Sequence, residues 1–363
     1  HHEIKFLCLS ATIKNKNEFL EWIVSLRGST SLINSDIRPT PLEISLVTST
    51  KSDKNIKIIK SSKDNKNRKI FKFDRQVKQY TKPKLNDQAA YLDSRNLLPV
   101  IFFFFSREKV ESSSRQLANT MNVIEMKNEI KEKYNDVFKD LTPEEINLLN
   151  LDEHMWMWSR GVGFHHAGLA PIVKEFVEYL FLNRFIKYLF ATETLALGIN
   201  MPAKSIFIDR LHKYDGIKTR PLTQSEFLQL SGRAGRRGID DKGFAFLSYD
   251  KSINREWYSN LFTLKPNDLI SAFSVNYSSI LNLLNIYTIE ESIELLKKSF
   301  FAYQNMYKTD KLETVFKAKY GVLNELGFLD SSKGLVLAQT YRDNLIPAIY
   351  LFERIESNGL EFK

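Results

Sequence analysis

The sequence has few of the features that mark secreted or membrane-spanning proteins. Its 363 residues include one cysteine, Cys8, so an internal disulfide framework is excluded and a reducing, intracellular setting is expected. The longest apolar run, residues 100–105, is far shorter than the roughly 20 residues that a membrane helix needs. No secretory signal is visible. The chain is expected to begin inside a fold, so any targeting segment upstream would be missing.

Positive charge is concentrated in one stretch. The formal net charge is +9, and residues 51–84 alone hold 13 Lys or Arg against 3 Asp or Glu. The rest of the chain is therefore close to neutral. Two interpretations of this Lys/Asn-rich stretch stay open: a solvated loop, or a basic tail that contacts phosphates.

Strand-like and helix-like segments alternate from about residue 97 to residue 250. Short apolar strands are predicted at 100–105, 186–191, 205–208 and 244–249, with helices between them. This alternation predicts an α/β domain with a doubly wound parallel sheet. Upstream, the patterns predict a strand at 4–9, a helix at 17–26 and an extended segment at 41–47. Beyond residue 266 they predict helices at 269–284, 289–303 and 322–329, and then a small hairpin, which is typical of a winged-helix-like α+β module or of a small helical bundle.

The most informative segment is 229–238, which reads QLSGRAGRRG. Its arginines offer planar, permanently charged forks that suit phosphate oxygens, and its glycines allow close approach of the backbone. This combination is what an arginine finger needs, a cation placed against the γ-phosphate held by a neighbouring domain. The alternative is a solvated basic turn.

This segment resembles motif VI of superfamily-two DExH-box RNA helicases of the Ski and exosome-cofactor type, including their bacterial and plastid relatives. The resemblance implies a RecA-like motor domain in which Arg233 and Arg236 act catalytically on the γ-phosphate of ATP and Gln229 lies at the domain interface. Residues 191–203, which read ATETLALGINMPA, resemble motif V. There the resemblance implies Thr192 and Thr194 near the nucleic-acid backbone, and Gly198 and Asn200 at the ATP.

Weaker resemblances flank these two. Residues 102–107 resemble motif IV, which implies nucleic-acid contacts from Ser106 and Arg107, and residues 161–169 resemble the segment before motif V, which implies a backbone contact from His166. A zinc site at the paired histidines is disfavoured, because no Cys or carboxylate set completes it. Residues 10–12 resemble motif III, with Ser10 and Thr12 coupling the motor domains, and residues 38–42 resemble the segment that follows it.

Some family features differ or are missing. Arg184 stands where the family usually has Gly. The sequence has no phosphate-binding loop of the GxxxxGK[ST] type, because Phe244 replaces the required lysine after the glycines at 238 and 243. It also has no DExH box, which residues 152–154 only imitate. The chain alone is therefore expected to be inactive, with ATP and Mg²⁺ held mainly by a missing first motor domain.

These expectations combine into one organisation and one function. Residues 1–37 are assigned to the edge of a first RecA-like domain, 38–90 to a linker with the Lys/Asn-rich loop, 91–252 to the second RecA-like domain and 253–363 to a truncated winged-helix-like domain. The predicted function is ATP-driven translocation on RNA and its unwinding, in RNA processing or decay, with RNA and an exosome-like complex as partners and no membrane. The alternatives are a DNA-repair helicase of the same superfamily and an inactive helicase-like scaffold.

Overall fold

The computed structural model of the chain describes residues 4–10, 13–35, 38–50, 55–63, 69–73, 80–124, 128–196, 201–215, 218–253, 257–258, 268–305 and 309–329. The chain divides into two compact units, one of residues 35–266 and one that combines residues 1–34 with residues 267–363. This division differs from the four segments predicted from the sequence.

The unit 35–266 is built on a large sheet. Its strands are β1 (Leu42–Thr50), β2 (Lys57–Lys63), β3 (Lys69–Phe71), β4 (Tyr80–Thr81), β5 (Val100–Phe103), β6 (Val162–His165), β7 (Tyr188–Ala191), β8 (Ser205–Ile208) and, after a hairpin of β9 (His212–Tyr214) and β10 (Thr219–Pro221), β11 (Gly243–Ser248). The strand order is β3-β2-β1-β11-β8-β5-β7-β6, with β4 on β1. All neighbours from β1 to β6 are parallel.

Helices follow these strands along the chain, as the alternating pattern predicted. They are α2 (Leu85–Ser94), α3 (Arg107–Ala118), α4 (Asn128–Phe138), α5 (Pro143–Leu148), α6 (Leu151–Trp158), α7 (Pro171–Leu182) and α8 (Gln224–Ser231). Capping boxes precede α5 and α8, at Thr142 with Glu145 and at Thr223 with Glu226. Each box supplies hydrogen-bond partners to amides that the first turn of a helix leaves unpaired.

The central strand β5 shows why the sheet is covered on both faces. All four of its residues are buried. Ile101 and Phe103 join one hydrophobic cluster, whereas Val100 and Phe102 join a second cluster on the other face. Since successive side chains of a strand point to opposite faces, a wholly apolar strand requires cover on both sides. The unit is thus an α/β, RecA-like domain, as predicted.

The assignment of 38–90 to a linker is wrong for much of that segment. β1 pairs in parallel with β11 and antiparallel with β2, and Leu46 and Val47 are fully buried. Alternating apolar residues of β1 therefore extend the sheet. The Lys/Asn-rich stretch contributes β2 and β3, and lysines along an edge strand discourage further pairing. Residues 51–54, 64–68 and 74–79 of that stretch lie outside the described residues.

Arg184, which stands where the family usually has Gly, lies in the turn before β7. This residue has a φ of 62°, in the left-handed region that non-glycine residues adopt at a cost. The left-handed backbone conformation that favours glycine is therefore adopted here by an arginine. The exposed Arg184 side chain avoids a steric clash, so the cost is confined to the backbone.

The second unit is helical in its described part. It contains α1 (Lys16–Arg27), α9 (Tyr277–Leu284), α10 (Ile289–Lys297), α11 (Phe300–Gln304) and α12 (Thr309–Glu325). The helix predicted at 269–284 begins only at Tyr277, and the one predicted at 289–303 is interrupted at Ser299, whose side chain caps α11. The helix predicted at 17–26 is confirmed as α1, which packs Phe19 and Trp22 against Phe300 with ring centroids 5.2 and 5.1 Å apart.

Two other expectations concern the ends of this unit. The strand predicted at 4–9 is not present, since residues 4–10 are irregular and their side chains exposed. An apolar strand needs a neighbouring strand for its backbone hydrogen bonds, and the described residues supply none to this segment. The predicted hairpin lies within residues 330–363, outside the described residues, so the winged-helix-like module stays a prediction.

Candidate functional site

The glycine- and arginine-rich loop after α8 lies at the amino ends of the parallel strands. The amide of Gly235 donates to the carbonyl of Ala203 at 2.7 Å, and the amide of Ala203 donates to the carbonyl of Arg233 at 2.9 Å, just before β8 begins. At the start of β11, Gly243 donates to the carbonyl of Pro41 at 2.8 Å. These bonds fix the loop across β8, β11 and β1.

Two glycines permit this close packing of backbone on backbone. A Cβ atom at Gly243 would lie 2.6 Å from the carbonyl carbon and oxygen of Ala234. Gly235 has a φ of 85°, and a Cβ there would lie 2.6 Å from the Thr40 methyl group. Real Cβ atoms do not approach so closely, so glycine at both positions is a steric requirement.

Arg38 holds the same loop from the other side. Its Nε donates to the carbonyl of Thr40 at 2.8 Å, and its Nη2 donates to the carbonyls of Ser231 and Ala234 at 3.0 and 2.6 Å. Partial burial lowers the pKa of this guanidinium, yet a guanidinium stays charged in proteins. The segment that resembled the sequence after motif III is therefore a clamp on the motif VI loop.

Arg233 connects that loop to motif V. Its Nη2 donates to the carbonyl of Ala196 at 2.5 Å. Ala196 ends a short 3₁₀ turn, Glu193–Ala196, that follows β7. Burial lowers the pKa of Arg233. Two sequence segments that were predicted to share a site, 191–203 and 229–238, are thus in direct contact.

Arg236 forms a bidentate ion pair with Asp240. Its Nε and Nη2 donate to the two carboxylate oxygens at 2.7 and 2.6 Å, and its amide donates to one of them at 2.9 Å. The two side chains are 13% and 5% exposed. Burial raises the pKa of Asp240, but the hydrogen bonds from Arg236 outweigh it and lower the pKa overall. The Asp240 carboxylate therefore occupies one edge of the Arg236 guanidinium fork.

The remaining residues predicted to contact ATP are placed only in part. Gln229 is exposed on the last turn of α8, which suits a residue at a domain interface. Gly198 and Asn200 lie outside the described residues. Within the described residues, no group of three or more His, Cys, Asp or Glu could hold a metal ion.

The predicted nucleic-acid contacts gather at the opposite, carboxyl edge of the sheet. Ser106 caps α3, accepting from the amide of Lys109 at 3.4 Å, and Arg107 is exposed on its first turn. Immediately after β7, the hydroxyls of Thr192 and Thr194 lie 2.8 Å apart. Open α/β sheets bind their ligands at this edge.

The paired histidines at the end of β6, His165 and His166, are buried and hydrogen-bonded. His165 pairs with Glu178 at 2.9 Å. His166 Nδ1 accepts from the amide of Gly168 at 3.0 Å, so its Nε2 carries the proton donated to Glu111, also at 3.0 Å. Burial lowers the pKa of His166, consistent with the neutral form. Both ring nitrogens of His166 are therefore engaged in hydrogen bonds within the chain.

Of the two residues predicted to couple motor domains, Ser10 lies in the exposed segment 4–10, and Thr12 lies outside the described residues. Their role stays a prediction.

A network of charged side chains joins the β9–β10 hairpin to motifs V and VI. Lys213 bonds Glu193 at 2.8 Å and Glu226 at 3.0 Å, and Arg220 bonds Glu226 at 2.9 Å and Asp215 at 3.1 Å. Burial disfavours the charged form of Glu226, but hydrogen bonds from Arg220, from the backbone at the start of α8 and from Lys213 outweigh it and lower its pKa to about 2. The hairpin is thereby fixed to the helix that carries motif VI.

The sequence analysis did not assign roles to Arg38, Asp240 or Lys213. A signal existed for Asp240, since it stands four residues after Arg236 and opposite charges at that spacing meet on a helical turn. No local pattern could have found Arg38, whose partner Ala234 is 196 residues away.

A parallel, helix-covered sheet with an arginine-rich loop at one edge and hydroxyl-bearing turns at the other defines the RecA-like motor domain of a helicase. No protein-family model matches the chain. The chain is 34% identical over 319 residues to the exosome RNA helicase MTR4 of Mus musculus, covering 83% of this chain and 31% of that protein. It is 32% identical over 338 residues to the ATP-dependent RNA helicase mtr4 of Schizosaccharomyces pombe, covering 85% and 30%.

Bacterial relatives match equally well. The probable helicase HelY of Mycobacterium tuberculosis is 32% identical over 327 residues, covering 83% of this chain and 36% of that protein. The chain belongs to the family of DExH-box RNA helicases of the Ski and exosome-cofactor type, which includes bacterial and plant members. It spans about a third of the length of these curated relatives. No helix in its described part is long and apolar enough to cross a membrane.

Proposed function

We propose that residues 35–266 are the second motor domain of an ATP-dependent RNA helicase, which moves along RNA and unwinds it during RNA processing or decay. The observation that carries the proposal is the contact between motifs V and VI, where Arg233 reaches the carbonyl of Ala196 at 2.5 Å. A motor must link its nucleotide site to its nucleic-acid site. This contact joins the motif VI loop, which we assign to the nucleotide, to the motif V turn, which we assign to the nucleic acid.

In this proposal Arg236 is the arginine finger. ATP and Mg²⁺ would be held mainly by a first motor domain, for which this sequence provides no phosphate-binding loop. When the domains close, the γ-phosphate would take the place of the Asp240 carboxylate on the Arg236 fork. The guanidinium then neutralises charge that develops on the transferring phosphoryl group. Arg233 would support it, and Gln229, Gly198 and Asn200 would complete the nucleotide contacts.

The opposite edge of the sheet would hold RNA through its backbone. Ser106, Arg107, Thr192 and Thr194 offer hydroxyls, a cation and turn amides, which bind phosphates without reading bases. His166 would act indirectly by fixing the Gly168 turn. We therefore expect weak sequence preference. Association with an exosome-like RNA-processing complex, in an intracellular compartment, extends the proposal by analogy with the relatives named for that complex.

The test compares Arg236→Ala with Arg237→Ala in the protein extended to include its first motor domain. Arg237 is the exposed neighbour of Arg236, so its removal changes charge equally. We expect Arg236→Ala to lower RNA-stimulated ATP hydrolysis by about a thousandfold or more while RNA binding is largely retained, and Arg237→Ala to have little effect. Undiminished turnover in Arg236→Ala would refute the finger assignment.

The same assay separates the alternatives. Stimulation by single-stranded RNA but not by matched DNA supports the RNA motor, whereas equal stimulation by DNA favours a repair helicase. A folded protein that binds RNA but hydrolyses no ATP would favour the scaffold.

A further inference from the structure

A chain of side-chain hydrogen bonds runs from helix α6 to the turn at Gly168, within the unit 35–266. Glu153 on α6 accepts two bonds from Arg115 on α3, at 2.5 and 3.1 Å. Arg115 also donates to Oε2 of Glu111, one turn earlier on α3, at 3.1 Å. The other oxygen of Glu111 bonds Nε2 of His166 at 3.0 Å, and Nδ1 of this imidazole accepts from the Gly168 amide. Two helices are thus connected to one turn.

Arg115 and Glu111 together fix the direction of every hydrogen bond in this chain. A guanidinium can only donate, and an ionised carboxylate can only accept. Both oxygens of Glu111 are therefore acceptors, so Nε2 of His166 carries a proton. A neutral imidazole can accept at its second nitrogen, and this nitrogen takes the Gly168 amide. An ion pair on α3 thereby selects one tautomer of a buried histidine.

Arg115 is held from two sides, which keeps the Glu111 carboxylate in one orientation. Bonds to Glu153 raise the pKa of Arg115 although partial burial opposes this, and the same bonds lower the pKa of Glu153. Charge-assisted, bidentate pairs of this kind restrict the geometry of both side chains. His166 is only 4% exposed, so its ring nitrogens depend on partners within the protein.

The turn at Gly168 is the point where this chain of bonds reaches the surface. Ala167 and Gly168 are exposed, and the carbonyl of His166 accepts from the Leu169 amide at 3.2 Å, which closes the turn. A Cβ atom at Gly168 would lie 3.1 Å from Nδ1 of His166 and 3.3 Å from Nη1 of Arg107. The turn and Arg107, one of the predicted RNA contacts, therefore lie side by side, so a shift of the turn changes the surroundings of that cation.

We propose that Glu111 is a positioning residue for RNA binding, which holds the Gly168 turn through the tautomer of His166, and that Arg115 orients its carboxylate. The inference rests on the proposed function, because it takes RNA as the ligand of this surface. Glu111 is half-buried and does not itself contact RNA in this proposal. Its negative charge opposes phosphate binding, so the contribution that we assign to it comes from the direction of its hydrogen bonds.

The substitution Glu111→Gln reverses one of these bonds with almost no change in shape. Arg115 can bond only the amide oxygen, so the NH₂ group turns towards His166. Nε2 then has to accept, the proton moves to Nδ1, and Nδ1–H faces the Gly168 amide, donor against donor. We expect nitrogen-15 NMR of the histidine-labelled 363-residue chain to show His166 protonated at Nε2 in the original chain and at Nδ1 in Glu111→Gln. The signals are assigned by their loss in His166→Phe.

RNA affinity is measured with a labelled single-stranded RNA in the protein extended to include its first motor domain. Glu108→Gln is the control, because Glu108 is exposed on the same helix and the substitution changes the charge equally. Loss of a negative charge by itself leaves phosphate binding unchanged or strengthens it. We expect Glu111→Gln to bind RNA about tenfold more weakly, since a hydrogen bond that orders the turn is lost, and Glu108→Gln to show no weakening.

A second substitution provides a rescue. Adding Arg115→Ala to Glu111→Gln leaves the amide oxygen free to accept from Nε2 of His166, so the double variant should regain the original tautomer and most of the RNA affinity. Loss of a cation by itself only weakens RNA binding, and damage to the fold would accumulate in the double variant. Recovery therefore distinguishes positioning from general structural support. Arg115→Ala alone keeps the carboxylate and should keep the Nε2 tautomer.

Each outcome decides for or against the inference. A changed tautomer in Glu111→Gln, weaker RNA binding than in Glu108→Gln and recovery in the double variant support it. Protonation at Nδ1 in the original chain, an unchanged tautomer in Glu111→Gln, or equal RNA binding by the two Gln variants overturns it. So does a double variant that binds more weakly than Glu111→Gln. If the inference fails while RNA still stimulates ATP hydrolysis by the longer protein, the proposed function stands; if the longer protein binds no RNA, both fail.

Discussion

Replacing Arg38 by alanine tests whether the clamp on the motif VI loop is what holds that loop in place. The substitution removes three hydrogen bonds, two of them to the carbonyls of Ser231 and Ala234. Hydrogen bonds that involve a charged group contribute about 1.5–3 kcal/mol each in favourable cases, and contributions within one cluster are not additive. We therefore expect the loop to be destabilised by about 3 kcal/mol.

Hydrogen exchange reads out this change at the loop itself. The Gly235 amide is protected by its 2.7 Å bond to the Ala203 carbonyl, and that bond must break for exchange to occur. A loss of about 3 kcal/mol corresponds to roughly a hundredfold faster exchange if the loop opens locally. The measurement is hydrogen–deuterium exchange of the peptide that covers residues 232–238, in the 363-residue chain.

Two further variants serve as controls for Arg38→Ala. Arg95→Ala removes an exposed arginine from the same unit and should leave the exchange of this peptide unchanged. Arg38→Lys keeps the charge but lacks the fork, so it should give an intermediate rate. If Arg38→Ala exchanges no faster than the original chain, the clamp is energetically unimportant and the reasoning is refuted.

Three other perturbations have defined outcomes. Arg184→Gly should raise the free energy of unfolding in urea by about 0.5–1 kcal/mol, because it relieves the left-handed backbone; a decrease would contradict this. Asp240→Asn should lower the free energy of unfolding by about 2 kcal/mol. In the longer protein it should also raise ATP hydrolysis without RNA, because the carboxylate that competes with the γ-phosphate for Arg236 is lost. Unchanged ATP hydrolysis would count against this competition. Burial lowers the pKa of His154 from 6.5 to about 4. The free energy of unfolding should therefore fall by about 3 kcal/mol as pH drops from 6.5 to 4. His154→Phe should remove that part of the pH dependence.

The pH expectation follows from the sign of the pKa shift. His154 is 2% exposed, and its Nδ1 is buried without a hydrogen-bond partner among the residues that the structure describes. Between pH 6.5 and 4 the unfolded chain binds a proton at this residue and the folded chain does not, so lower pH favours unfolding. Above pH 6.5 neither state is protonated, and the contribution of His154 to the pH dependence disappears.

The sequence by itself determined the features that depend on neighbouring residues. The apolar strand β5, the two capping boxes before α5 and α8, and the order of alternating strands and helices could all be predicted, because burial on both faces and local hydrogen bonds leave a pattern within a few residues. The arginine-rich loop was also recognisable, because its three arginines interleaved with glycines resemble motif VI.

Only the tertiary structure decided how distant segments meet. The segment taken for a linker became β1, because its apolar residues found a partner in β11, some 200 residues later. Arg38 clamps a loop that no spacing connects to it. Strand register and side-chain contacts over such separations are selected by the packing of the whole core, and short-range patterns do not encode them.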